Sequence, residues 1–220
     1  MRKDSFANGE FHHIYNRGVD KRNIFLGPGD LDRFLESIKF FNSTEPIGSI
    51  RDIKELLANS QTSDIWEKRK RLVDIVCYCL NPNHYHLLLL QHVNNGISEF
   101  IKRLGGGYTK FFNEKHDRSG VLFQGKFKSI RISSNEYLLH LSSYINLNNQ
   151  IKGNPSRLSK SSWDEFVNPK DVIENFCHNK EIILGQFNDG SKYKTFALDA
   201  LEDILERKNR DKNFGNLFLE

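Results

Sequence analysis

The chain has 220 residues and a formal net charge of +4 at pH 7, from 32 Lys and Arg residues against 28 Asp and Glu residues. No run of apolar residues approaches the ~20 that a bilayer-spanning helix needs, and the first residues lack the apolar stretch of a secretion signal. The three cysteines are an odd number and predict no disulfide framework. These features argue against membrane-spanning and disulfide-stabilised secreted proteins, and they predict a cytoplasmic protein large enough to bury a core.

Hydrophobic periodicity and turn residues predict strands and helices in mixed order. In chain order these are a strand at 11–15, helices at 31–41 and 50–58, a strand hairpin at 72–90, a helix at 96–112, a strand pair at 121–132, a helix at 135–149 and a charged helix at 199–210. Asp30 is the expected N-cap of the first helix, and Ser133, Ser134 or Asn135 is expected to cap the helix at 135–149.

The most informative motif is the run NPNHYHLLLL at 81–90. Strand side chains alternate between the two faces of a sheet, so His84 and His86 point the same way, as neighbouring metal ligands must. Because the strand is apolar on both faces, we expect it to be central, where an unsatisfied imidazole is costly. The pair therefore predicts a functional site, whereas His12 and His13 are expected to be strand-surface residues rather than ligands.

The histidine pair alone names neither the ion nor the reaction, since imidazoles suit several divalent metals. A histidine-triad hydrolase fits poorly because Leu88 stands where its third histidine is needed. A structural zinc site built from Cys77, Cys79, His84 and His86 is an alternative. It is disfavoured because its two cysteines are too close in sequence for the usual spacing, and a cysteine in an apolar strand is most often a small hydrophobe.

Positive charge is concentrated between residues 102 and 131. This segment contains eight basic and two acidic residues, for a net charge of +6. Aromatic residues are interleaved with them, and cations beside rings are the ingredients of single-strand nucleic-acid binding. Phe111, Phe112 and Phe123 are nevertheless expected in the core. The segment predicts a surface that binds a polyanion.

The helix at 135–149 carries His140, Tyr144 and Asn148 at four-residue spacing, which places them along one face. If this helix packs beside the histidine strand, Asn148 would supply a third metal ligand and Tyr144 a nucleophile. The metal would polarise a phosphate that the tyrosine oxygen attacks. Tyr137 lies two turns earlier on a neighbouring line of the same helix and is the competing tyrosine.

The chain resembles the single-tyrosine HUH transposases, in particular their REP-associated branch. Four family motifs occur in order: Asn16-Arg17-Gly18 after the first strand, Asn81 to Leu88 with Asn81 in place of Met, Phe123 to Ser129 with Lys126 in place of Arg, and Ser143 to Asn148. The resemblance implies an α+β fold, a ferredoxin-like antiparallel sheet with helices packed on it. It implies a nuclease domain over 1–150 and a mostly helical C-terminal extension over 151–220.

The resemblance also implies the chemistry and the site residues. His84 and His86 would hold Mg²⁺ or Mn²⁺, with Asn148 completing the metal site. Tyr144 would attack single-stranded DNA, forming a 5′-phosphotyrosine and releasing a 3′-hydroxyl without ATP. A non-catalytic DNA-binding or regulatory relic of such an enzyme is the alternative function.

The partner that the resemblance implies is single-stranded DNA with a hairpin, bound by a protein that is more often monomeric than dimeric in this branch. The basic residues expected to contact DNA are Arg17, Lys21, Arg22, Lys102, Arg103, Lys126, Lys128 and Arg131.

Overall fold

The computed structural model describes residues 6–59, 69–151, 156–172 and 174–211. The strands are β1 (Phe11–Arg17), β2 (Val73–Asn81), β3 (His84–Gln91), β4 (Lys128–Arg131) and β5 (Lys160–Ser161). The helices are α1 (Pro28–Phe41), α2 (Ile50–Asn59), α3 (Gly96–Lys115), α4 (Asn135–Leu147), α5 (Trp163–Val167), α6 (Glu181–Leu184) and α7 (Gly190–Asp211). In these described ranges no helix is long and apolar enough to cross a membrane.

The five strands form one sheet in the order β4-β1-β3-β2-β5, and every neighbouring pair is antiparallel. The inner order of β4, β1, β3 and β2, with α1 after β1 and α3 after β3, is the ferredoxin-like arrangement. The predicted α+β fold is therefore confirmed. Strand β3 is in the middle of the sheet, as its two apolar faces predict, and β2 is buried along its whole length.

Helices pack on both faces of the sheet. On one face, the ring of Phe34 from α1 lies 5.4 Å from Tyr85 of β3 and 4.9 Å from Tyr108 of α3, measured between centroids. A side chain at Gly107 of α3 would meet Phe41 at 2.5 Å, so this glycine allows α1 and α3 to approach closely. Because strand side chains alternate, His86 lies on the opposite face, which α4 covers.

Helix α4 begins where its sequence predicts, since the Ser134 hydroxyl accepts a hydrogen bond from the backbone N–H of Tyr137 at 3.2 Å. The start of α1 was predicted wrongly. Its N-cap is Gly27, and Asp30 lies inside the first turn, where its carboxylate accepts hydrogen bonds from the backbone N–H groups of Leu26 and Gly27. A capping-box acid was thus mistaken for the cap itself.

The strand pair predicted at 121–132 was also wrong. Only β4 forms there, while Phe123 makes a single isolated bridge to Gly18 and Gly125 has a φ of 64°. A positive φ at Gly125 turns the chain between these two points, so the alternating apolar and basic residues there do not continue one strand.

The C-terminal part packs on the same core. Strand β5 pairs with β2, and the fully buried ring of Tyr193 in α7 places its hydroxyl 2.8 Å from the Asn146 Nδ2 and 3.1 Å from the Ser142 hydroxyl, both in α4. The charged helix predicted at 199–210 is the second half of α7. Helix α4 is therefore held between the sheet and the C-terminal helices.

Candidate metal and nucleophile site

The two histidines of β3 and two residues of the α4 segment meet at one end of the sheet. The ring of Tyr144 lies edge-on to His86, with centroids 5.7 Å apart, and the rings of His84 and His86 are 5.2 Å apart. The carbonyl oxygen of the Asn148 side chain lies 3.3 Å from Nε2 of His84. The four residues singled out from sequence as metal ligands and nucleophile thus lie together.

His84 is oriented by the residue before it. Its Nδ1 is 2.6 Å from Oδ1 of Asn83, and a carbonyl oxygen can only accept, so Nδ1 carries the proton. The lone pair of His84 is then on Nε2, the atom closest to Asn148. This is the tautomer in which an imidazole binds a metal through Nε2.

His86 is oriented by a histidine that was predicted to lie on the surface. His13 is only 5% exposed, and its Nε2 lies 2.9 Å from Nδ1 of His86. Burial lowers the pKa of His13 to about 4, so the ring is neutral near pH 7. His12 is also buried, at 1% exposure, and packs edge-on against Phe6 on the other face. The surface prediction for both residues was wrong because β1 is covered on both sides.

A cavity of about 220 Å³ opens beside Tyr144, His84 and His86. Basic side chains line it, and no carboxylate does so among the residues that the structure describes. The lining cations are Arg17, Lys21 and Lys128. The Arg17 guanidinium is held by the side chain of Gln124. Such a cavity favours an anion, and its volume leaves room for a phosphate group.

The remaining predicted DNA contacts lie elsewhere. Lys102 and Lys126 line a wide groove along α3, on the side of the sheet away from the histidines. Arg103 donates to the Ser43 carbonyl at 2.7 Å and bonds with Glu99 at 2.8 Å. The structure therefore does not bring this arginine to the cavity.

Arg22 and Arg131 each form an ion pair with a nearby acidic residue. Arg22 lies 3.7 Å from Asp20, and Arg131 lies 2.6 Å from Glu10 near the opposite end of β1. The exposed ring of His140 packs against Phe196 of α7, with centroids 5.2 Å apart. His140 therefore does not join Tyr144 and Asn148 at the site, although their four-residue spacing places all three along one face of the helix.

No group of three or more His, Cys, Asp or Glu side chains is placed to hold a metal within the described ranges. The alternative zinc site with Cys77 and Cys79 is accordingly not formed. Burial raises the pKa of the Cys79 thiol to about 12, which disfavours the thiolate that zinc needs. Among the described residues, the Asn148 amide oxygen lies next to His84, and its position and chemistry fit a hard cation.

Comparison with known proteins agrees with the motifs. A family model described as "Transposase IS200 like" matches residues 55–148, a segment that includes the histidine pair and α4. No curated protein matches the sequence. The family resemblance predicted from the motifs is confirmed over that segment.

Ten chains of solved structures match this fold. A structure described as a REP-associated tyrosine transposase bound to a REP hairpin is 14% identical, with a TM-score of 0.47 over 81% of this chain and 93% of the other. A putative transposase from Deinococcus radiodurans R1 is 17% identical, with a TM-score of 0.33 over 71% of this chain and 100% of the other. The family resemblance rests on the match over residues 55–148 and not on these two likenesses.

Proposed function

We propose that this chain, which matches the IS200-like transposase family model over residues 55–148, is a metal-dependent nuclease and strand transferase that acts on single-stranded DNA. The observation that carries the proposal is the placement of Tyr144 against His86, beside a cavity whose charged lining residues are all cations. A phenol, two imidazoles and phosphate-sized space are the parts that tyrosine-mediated strand cleavage needs.

The metal would be held by Nε2 of His84, by His86 and by the side-chain oxygen of Asn148. When bound, Mg²⁺ or Mn²⁺ would supply Lewis-acid charge to a phosphate oxygen. These protein ligands are all neutral, so the negative charge that balances the cation would come from the DNA phosphate. We therefore expect metal and DNA to bind cooperatively. No ATP is required, since a phosphotyrosine bond conserves the energy of the broken linkage.

The chain's own residues would act as follows. Arg17, Lys21 and Lys128 bind phosphates of the strand and orient one of them toward Tyr144. The tyrosine oxygen attacks phosphorus, losing its proton to solvent, and the bond to the 3′ oxygen breaks as that oxygen takes up a proton. The downstream strand then carries a 5′-phosphotyrosine and the upstream strand a free 3′-hydroxyl. Attack by another 3′-hydroxyl reverses the step and joins strands.

The motif resemblance supports hairpin-flanked single-stranded DNA as the substrate, acted on in the cytoplasm by a monomer. The same resemblance supports a nuclease domain over 1–150. We propose that the extension after it stabilises α4 through the contacts of Tyr193 with Ser142 and Asn146.

The test is a denaturing gel with hairpin-bearing single-stranded DNA labelled at both ends, with Mn²⁺ present. The wild type should give a covalent protein–DNA band that carries the downstream label. Tyr144→Phe should abolish it while leaving hairpin binding nearly unchanged. Tyr137→Phe, which alters a tyrosine that is 38% exposed on the same helix, is the matched control and should keep the band. Tight binding with no covalent species in the wild type would favour the non-catalytic alternative.

A further inference from the structure

Asn81 occupies a buried position against the two predicted ligands. It is the last residue of β2, it pairs with His84 across the hairpin, and it is 6% exposed. Its Nδ2 lies 2.7 Å from Oδ1 of Asn148 and 3.2 Å from Nε2 of His84. At this position the chain has an amide where the resembled family has methionine, so this contact is a property of this sequence.

The three polar atoms form a compact triangle. Its sides are the 2.7 Å and 3.2 Å separations from Asn81, and the 3.3 Å separation between His84 Nε2 and Asn148 Oδ1. Neighbouring ligands of an octahedral ion with bonds of about 2.1 Å lie about 3.0 Å apart. The triangle therefore has the dimensions of one face of such a coordination shell.

The Asn81 amide can present oxygen at this position. A half-turn of the amide group exchanges Oδ1 and Nδ2, which have nearly the same shape. Its Oδ1 now accepts a hydrogen bond from the hydroxyl of Ser159 at 3.2 Å. A hydroxyl also accepts, so Ser159 would bond equally well with Nδ2 after the turn. The turn therefore leaves the buried amide with a partner.

We propose that Asn81 is a further ligand of this metal centre and binds a divalent cation through Oδ1, beside His84 and Asn148. The inference rests on the proposed metal site. It gives the centre two amide oxygens in place of the carboxylate that the described part of the chain does not supply. As the amide is oriented in the structure, Nδ2 donates hydrogen bonds to His84 Nε2 and Asn148 Oδ1 and holds these two atoms at the spacing of neighbouring metal ligands.

The test is Mn²⁺ binding, measured with and without hairpin-bearing single-stranded DNA through the loss of the free-ion signal in electron paramagnetic resonance. Asn81→Met removes the oxygen and should weaken binding about tenfold or more. Asn81→Asp replaces the amide oxygen by a carboxylate and should tighten binding about tenfold. Asn95→Asp, which adds the same charge beyond the far end of β3, is the matched control and should change nothing. Thermal melting of each variant shows that it is folded.

The direction in which each substitution changes the Mn²⁺ affinity distinguishes between the possible roles of Asn81. If its amide served only to donate to Asn148, neither methionine nor aspartate could replace it, and weaker binding in both variants would overturn the proposal. Tighter binding in Asn81→Met would show that the amide competes with the cation, and an unchanged affinity would show that it is a bystander. If the wild type bound no more Mn²⁺ than His84→Ala even with DNA present, the metal centre itself would be overturned, and this inference with it.

Discussion

The buried ring of His13 is bonded to His86 across the sheet, with Nε2 of the first 2.9 Å from Nδ1 of the second. The two strands pair antiparallel, and Tyr15, which stands directly opposite His86, stacks on the same ring at 5.7 Å between centroids. Because Nδ1 of His86 is engaged by His13, Nε2 is the nitrogen that His86 would offer to a metal. His13 is therefore a positioning residue for the proposed centre.

Replacing His13 by Phe keeps a ring in the sheet and removes the nitrogen that bonds with His86. We expect the Mn²⁺ concentration for half-maximal cleavage to rise about tenfold or more, because the partners of ligating histidines have effects of that size. His12→Phe changes the neighbouring residue, whose ring packs on the other face, and should leave the Mn²⁺ requirement near the wild-type value. Equal Mn²⁺ requirements in the two variants would show that His13 does not position His86.

The central hairpin of the sheet follows closely from the sequence, because β2 and β3 are continuous apolar runs joined by a turn and the histidine strand is apolar on both faces. The ferredoxin-like sheet as a whole was implied only by the family resemblance. What periodicity could not give is the structure between Val121 and β4. There Gly125 adopts a positive φ, and long-range pairing with β1 decides which residues become strand.

The spacing on α4 predicted Tyr144 and Asn148, but residues contributed by other strands were missed. The alternation of β1 places His13 and Tyr15 on one face, which was a usable signal. However, only the register with β3 shows that this face is the face of His86. The amide of Asn81 in place of the family's methionine was a visible departure, but its proposed role depends on the Asn148 side chain, which lies 67 positions away in the sequence.

The next prediction concerns the metal. His84→Ala combined with His86→Ala should abolish Mn²⁺-dependent cleavage, and a chelator should have the same effect on the wild type, since both remove the charge that polarises the phosphate. Hairpin binding measured in a chelator should change little, because it depends on the basic residues. Cleavage that persists in the double variant and is still blocked by chelator would place the metal elsewhere.

Among the predicted DNA contacts, position in the structure separates Lys128 from Arg103. Lys128 lines the cavity beside Tyr144, whereas Arg103 is bonded to Ser43 and Glu99. Lys128→Ala should lower the slope of log affinity against log salt for single-stranded DNA by about 0.7, the value of one lost phosphate contact. Arg103→Ala should leave the slope unchanged. A lower slope for Arg103→Ala with an unchanged slope for Lys128→Ala would indicate that the DNA binds along α3 instead.

Tyr193 tests the support that the C-terminal helices give to α4. Tyr193→Phe removes a buried hydroxyl that bonds with Asn146 and Ser142, and it leaves the Asn146 amide one partner short. We expect the free energy of unfolding to fall by about 1–3 kcal/mol, measured by urea denaturation. Tyr137→Phe removes the hydroxyl of a tyrosine on α4 that is 38% exposed and should cost far less. A similar loss in both would mean that the buried contacts of Tyr193 add nothing to stability.

Acid stability depends on Asp30 in α1, which is fully buried. Burial alone would raise the pKa of this carboxyl group, but hydrogen bonds from Lys115, the Leu26 backbone and His116 lower it below the ordinary value of 3.8. The unfolded chain then binds the proton more tightly than the folded one. The stability gained from this shift is complete above pH values near 3.8 and is lost as the pH falls through the lower folded-state pKa.

Asp30→Asn should remove this dependence and lower the stability near pH 7 by about 1–3 kcal/mol, because Lys115 and His116 lose an ionised acceptor. The measurement is urea denaturation of both proteins at closely spaced pH values from neutral to strongly acidic. Since the carboxylate contributes most above its unfolded-state pKa, the difference between wild type and variant should shrink as the pH falls below that value. A difference that is the same at every pH would mean that the ionised form of Asp30 contributes nothing to stability.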